Sequence, residues 1–193
     1  MSWHILKVTL AHVRPAIWRR LCVPSDTPLD VLHLALQAAF GWQDSHLHEF
    51  RTADARYGAP DVDEDAPEDL LDESEFTLAD VLPRKSSRME YLYDFGDDWF
   101  HTVSVEDIEK PAPRGSGRSL RPHRSATAIR CLDGARAAPP EDCGGPAGYA
   151  EFLEAIADPQ HERHAELIEW VGGEFDPERF VIADINRELS ALA

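Results

Sequence analysis

Four side chains that can trade protons or hold a cation recur at short spacing in this sequence. His46 and His48 sit two residues apart, and Asp94 and His101 bracket the run Tyr93-Asp-Phe-Gly-Asp-Asp-Trp-Phe-His101. Imidazole nitrogens together with carboxylate oxygens form the mixed donor set that suits zinc, manganese or iron. The same pair also suits general acid–base work, with the carboxylate orienting the ring. The candidate ligand-binding residues are His46, His48, Asp94, Asp97, Trp99, His101, Glu141, Asp142 and Tyr149. A divalent metal, if one is held, would draw on His46, Asp97 and His101. No HExxH, paired CxxC or EF-hand loop is present, so no motif selects one chemistry. The plainer alternative is that Asp94 and His101 satisfy each other or nearby backbone groups, as semi-buried polar side chains do. Gly144-Gly145 ahead of a helix could present N–H groups to an anion, but Glu141 and Asp142 oppose this, and capping is their plainer role.

These residues need elements to position them. Residues 89–95 and 99–108 alternate as strands, and the Gly96-Asp97 step between them reads as a tight hairpin turn. Pairing Phe95 with Asp98 sets Asp94 opposite Trp99 and diagonal to His101 on one face. A strand over 46–51 would put His46 and His48 on a shared face. Residues 2–11 and 17–23 read as an N-terminal hairpin broken at Arg14-Pro15. Thr27, Pro28 and Asp30 open a helix with a capping box; Leu29, Leu32, Leu36 and Phe40 form its apolar face, and Gly41 closes it. Thr77 to Leu82 is a further capped turn stopped by Pro83. A short strand over 126–132 is followed by helices over 147–157, from 158 to about 171, and from 176 onward. The order predicts an α+β fold: an antiparallel sheet of about five to six strands, helices packed on one face, and a C-terminal helical segment. One domain spans 1–193, with an acidic surface excursion over 57–76 and a basic loop over 110–125.

Composition narrows the function. The net charge is −17, with ten acids and no base from Asp61 to Asp80, and seven bases against Asp133 alone from Lys110 to Arg136. Phosphate backbones reward clustered Lys and Arg, so nucleic acid is a poor partner for this chain. A protein or small-molecule partner fits better. No apolar run is long enough to span a membrane. Three cysteines without CxxC spacing, and no charged-then-apolar leader, place the chain in a reducing cytoplasm.

Several blocks together resemble one family, the plasmid pRiA-type ORF-three-like proteins. They are Ile17-Trp-Arg-Arg20, Leu32 to Trp42, His46-Leu-His-Glu-Phe50, Tyr93 to His101, Pro139 to Tyr149, and Phe175 to Phe180 with Ile185-Asn186. The resemblance implies an α+β cytosolic protein of bacteria or archaea, often encoded on plasmids or beside transposable elements, and it implies no activity. A resolvase label travels with some such sequences, but the residues reject it here. The first strand offers only Ser2, and the C-terminal helices are acidic. Two function classes stay open: a His/Asp ligand-binding or acid–base site between the 46–50 strand and the 91–105 hairpin, and a non-enzymatic protein-interaction module associated with mobile elements. A DNA-binding accessory role ranks below both.

Overall fold

Alternation in the first strand sets the two sides of the sheet. In β1 (Trp3–Leu10) His4, Leu6, Val8 and Leu10 are buried, while the residues between them are half-exposed. Leu6 stands beside Leu21 of β2 (Trp18–Pro24) and Val105 of β7 (Trp99–Glu109), so one face is apolar across three strands. The opposite face carries Lys7, Arg20, Glu106 and Asp133. There the Arg20 guanidinium bonds Glu106 at 2.6 Å and Asp133 at 3.1 Å. The computed structural model describes residues 2–60, 67–110 and 128–192. Of the expected basic loop, 111–125 lie outside the described residues, as do 126 and 127 of the expected short strand and 61–66 of the acidic excursion.

The remaining strands are β3 (His48–Arg51), β4 (Arg56–Gly58), β5 (Leu70–Asp72), β6 (Arg88–Tyr93) and β8 (Arg130–Ala135). They join one open eight-stranded sheet in the order β5-β4-β3-β6-β7-β1-β2-β8. Every pairing is antiparallel except β4 with β5. The sheet exceeds the expected five to six strands because β4 and β5 arise where a surface excursion was expected. Their sequences lack alternation, and three-residue strands at a sheet edge need little of it.

Among the described residues five α-helices accompany the sheet: α1 (Leu29–Phe40), α2 (Leu78–Val81), α3 (Gly145–Ala157), α4 (His164–Trp170) and α5 (Ile182–Ser190). A 3-10 turn, Glu73–Glu75, follows β5. Helix α1 lies on the apolar face and buries Leu29, Leu32, Leu36 and Phe40. Each Leu side chain so buried contributes roughly 1.5–3 kcal/mol. Gly41 ends the helix in the left-handed region at φ 78°, its N–H reaching Gln37 O. The expected capping box at Thr27 and Asp30 is not formed. The Leu29 N–H is taken by Phe76 O, and Asp30 Oδ1 accepts from Val31 N instead. A capping box forms at α2, where Asp80 accepts from both the backbone and the hydroxyl of Thr77.

Two fixings hold helices to the sheet. Arg19 is buried and donates to the carbonyls of Ala39, Trp18 and Ala135 at 2.8–2.9 Å, between the rings of Phe40 and Phe180. Burial lowers its pKa to about 10. On the edge strand β8 the Asn186 amide bonds both N and O of Cys131 at 2.9 Å. A side chain of α5 thus pairs with backbone that a further strand would otherwise seek.

Candidate functional site

The hairpin register decides which side chains meet. In β6 and β7 the pairs are Tyr93↔Trp99, Leu92↔Phe100 and Tyr91↔His101, so the loop comprises residues 94–98. This is one residue off the expected pairing. Asp94 therefore sits in the loop at φ 58° and not opposite Trp99. Its Oδ1 accepts from Gly96 N at 2.9 Å and Asp97 N at 3.2 Å, a bonding that shapes the five-residue loop. The expected Asp94–His101 diagonal is not formed.

His101 points into the core. It is 1% exposed, boxed by the rings of Phe40, Trp42 and Tyr91, with Nδ1 3.3 Å from Tyr91 O. Its Nε2 has no hydrogen-bond partner among the described residues, and burial pushes its pKa down to about 4. Trp99 is likewise buried, beside Trp42. Asp97 does not approach His46 or His101 in any three-residue ligand group among the described residues; its carboxylate accepts from Gly144 N at 3.1 Å. The trio His46, Asp97 and His101 is thus dispersed by the register.

Other sequence candidates do converge. Strand β3 begins at His48, which leaves His46 in the preceding loop. There His46 Nε2 lies 3.2 Å from Asp142 Oδ1 and 3.7 Å from Asp94 Oδ2, although neither contact has hydrogen-bond geometry. Glu141 accepts from Tyr93 Oη at 2.7 Å and Gln43 N at 2.9 Å. Trp42 Nε1 donates to Pro139 O nearby, so segment 139–144 is docked across the end of the hairpin. Tyr149 is buried within α3 against Phe152 and Phe175, and burial pushes its hydroxyl up to about 12.

His48 works with residues the sequence did not single out. Its ring stacks on His33 of α1, with centroids 3.4 Å apart and planes 3° from parallel. His48 Nε2 lies 2.9 and 3.1 Å from the two oxygens of Glu73, a buried carboxylate of the 3-10 turn. His33 Nε2 lies 2.7 Å from Asp44 Oδ1. The two imidazoles are therefore each matched to a carboxylate. Burial is the main cause that lowers the His33 pKa, with His48 adding to it.

The hydrogen bonds behind this pair form a circuit. Asp44 N donates to Gln37 Oε1 at 2.9 Å, so the amide nitrogen of Gln37 must be the atom that donates to Tyr91 Oη at 2.9 Å. The Tyr91 hydroxyl proton is then directed at His33 Nδ1, 2.8 Å away. His33 is left to donate from Nε2 to Asp44, where the circuit began. One sequence signal pointed here: His33 and Gln37 are polar residues one turn apart, beside the apolar stripe of α1. Glu73 had none, since it lies among ten acids.

The cluster of His33, Asp44, His48 and Glu73 opens on a cleft of about 460 Å³, which His46 of the second cluster also lines. Leu34, Leu47 and Phe95 also line it, and each is more than a third exposed.

The architecture and this cleft define a mixed α/β protein: an open eight-stranded, mostly antiparallel sheet with a histidine–carboxylate cleft near one end. Comparison with known sequences specifies it further. The chain belongs to the plasmid pRiA4b ORF-3-like protein family, which it matches over residues 2–184. It is 43% identical over 190 residues to "Uncharacterized protein y4hQ" of Sinorhizobium fredii, covering 97% of this chain and 91% of that one. It also superposes with TM-score 0.77 and 36% identity on "Protein of Unknown Function MM3350" from Methanosarcina mazei Go1, covering 95% of this chain and 97% of that one. Among the described residues, no helix is long and apolar enough to cross a membrane.

Proposed function

We propose that the protein binds a small molecule in the cleft between α1, the 44–48 loop and the hairpin loop, and that the histidine–carboxylate groups there do its polar recognition or chemistry. One observation carries this reading: convergent imidazoles and carboxylates at the wall of a concave site whose lining includes exposed Leu34, Leu47 and Phe95. A few placed polar groups within an apolar cleft are the usual make-up of a ligand site. Electrostatics narrows the ligand. Asp30, Asp44 and Glu73 line the cleft, whereas its one arginine, Arg56, is bound to Glu49 at 2.5 Å. A cationic head with an apolar body complements such a wall; an anionic head does not.

A charge-matched pair of aromatic probes tests this. Phenethylamine should shift the histidine ring signals in heteronuclear NMR, and phenylacetate should bind more weakly or not at all. Phe95→Ser alters an exposed residue and should weaken the amine by about five- to tenfold, the loss of roughly 1 kcal/mol of apolar contact. Shifts scattered over the surface, or equal binding to wild type and Phe95→Ser, would sink the reading.

A further inference from the structure

We infer that His33 Nε2, His48 Nε2 and Asp44 Oδ1, with Glu73 beside His48, form a site for a divalent transition-metal ion of the zinc class. The inference rests on the cleft reading above for its place, and it gives the same carboxylates a metal cation, with which a cationic ligand would compete.

Geometry supports it first. One ligand atom from each of His33, Asp44 and His48 lies within 4.8 Å of the other two, and Glu73 Oε2 is 2.9 Å from His48 Nε2. Ligands of a tetrahedral ion at about 2.0–2.2 Å stand roughly 3.3–3.6 Å apart, so the donors are near enough, and closure needs the two stacked rings to tilt out of parallel until both in-plane lone pairs meet the ion. Two imidazoles with one or two carboxylates suit zinc, manganese or iron(II). Three of these residues sit on regular elements: His33 on α1, His48 at the start of β3, and Glu73 in the 3-10 turn. Asp44 is the exposed member, with 48% of its side chain accessible, so the site faces the cleft and leaves room for a ligand.

Charge balance supports it second. The Glu73 side chain is only 5% exposed and its close partners are the two oxygens' contacts to His48. Two protonated imidazoles stacked 3.4 Å apart would repel each other strongly. Among the described residues the ion pairs of both carboxylates are with these rings, and neither carboxylate is met by a Lys or Arg. One divalent cation neutralises both carboxylates without charging either ring.

Outer contacts supply the third support. A metal-bound imidazole normally turns its other nitrogen to an oxygen acceptor, which fixes the ring. His33 Nδ1 faces Tyr91 Oη, and Gln37 holds both that hydroxyl and the Asp44 backbone. With an ion on Nε2 the His33 proton would sit on Nδ1 and be donated to Tyr91 Oη, so the Tyr91 hydroxyl proton would have to turn away from Nδ1.

The test titrates chelator-stripped full-length chain with Zn(II) and Co(II) alone, following heat and the visible Co(II) spectrum. One ion per chain is expected, with the visible bands of Co(II) bound by nitrogen and oxygen. Asp44→Asn and His48→Gln should each weaken Zn(II) at least about tenfold while circular dichroism shows an intact fold. His161→Gln, remote on the α3–α4 connection, should match wild type. No stoichiometric ion would overturn the inference, as would wild-type affinity in both variants. So would loss of the ion through His46→Gln and Asp142→Asn in place of Asp44→Asn and His48→Gln. The two readings fail separately. Binding of phenethylamine without Zn(II) removes the metal and keeps the cleft; Zn(II) binding without phenethylamine keeps the metal site.

Discussion

His101 shows how a side chain suited to chemistry becomes part of a core. Its imidazole is neutral and closed off by Phe40, Trp42 and Tyr91. Burial lowers its pKa from 6.5 to about 4, so between those values the unfolded chain binds the proton that the folded chain refuses. The stability is fully present above pH 6.5 and is lost as the pH falls toward 4, by up to about 3 kcal/mol. His101→Leu, which cannot titrate, should lose that much less stability than wild type between pH 7 and pH 4. The check is urea unfolding at both pH values. His4, whose pKa burial also lowers, keeps its own slope in both proteins, so only the difference between them reports on His101. Equal acid sensitivity in the two proteins would show that His101 charges freely in the fold. Residue types alone made His101 a candidate for chemistry; burial and register decide otherwise.

At the scale of elements, segment 139–144 completes the His46 cluster, and a glycine lets it dock. Gly145 has φ +67°, and a Cβ there would run into the carbonyl oxygen of Asp97 at the hairpin tip. Gly145→Ala should therefore part the segment from the hairpin and cost on the order of 1–3 kcal/mol. The denaturant midpoint should fall, and the Glu141 bonds to Tyr93 and Gln43 should loosen, visible as faster exchange of the Gln43 amide. An unchanged midpoint would mean that the contact yields easily. The order of most elements was legible. Alternation marked β1, β2, β6 and β7, and the apolar stripe and Gly41 bounded α1. The hairpin register was not, because Gly-Asp accepts either a two-residue or a longer loop. A slip of one residue moves every side chain to the other face. Asp94 Oδ1, bonded to Gly96 N and Asp97 N, holds the five-residue loop.

Across the whole molecule, charge separates function classes. The chain carries 36 acidic against 19 basic residues, and the cleft wall shares the acidic sign. The full-length chain should pass through a double-stranded DNA column unretained at about 50 mM salt. Retention that weakens steeply with added salt would show that the basic stretch around 110–136 overrides the net charge. The acidic excursion repeats the lesson at larger scale. Its composition reads as solvated surface, yet it supplies β4, β5 and the buried carboxylate of Glu73.

Local pattern alone determined the class of fold, the order of most of its elements and the family, because alternation, caps and motif blocks are properties of neighbouring residues. Only the tertiary structure decided which polar groups share a site. His33, Asp44, His48 and Glu73 come from a helix, a loop, a strand and a 3-10 turn. Their meeting depends on how α1 crosses the sheet and where the short edge strands pair, and no spacing along the chain encodes a distance of that kind.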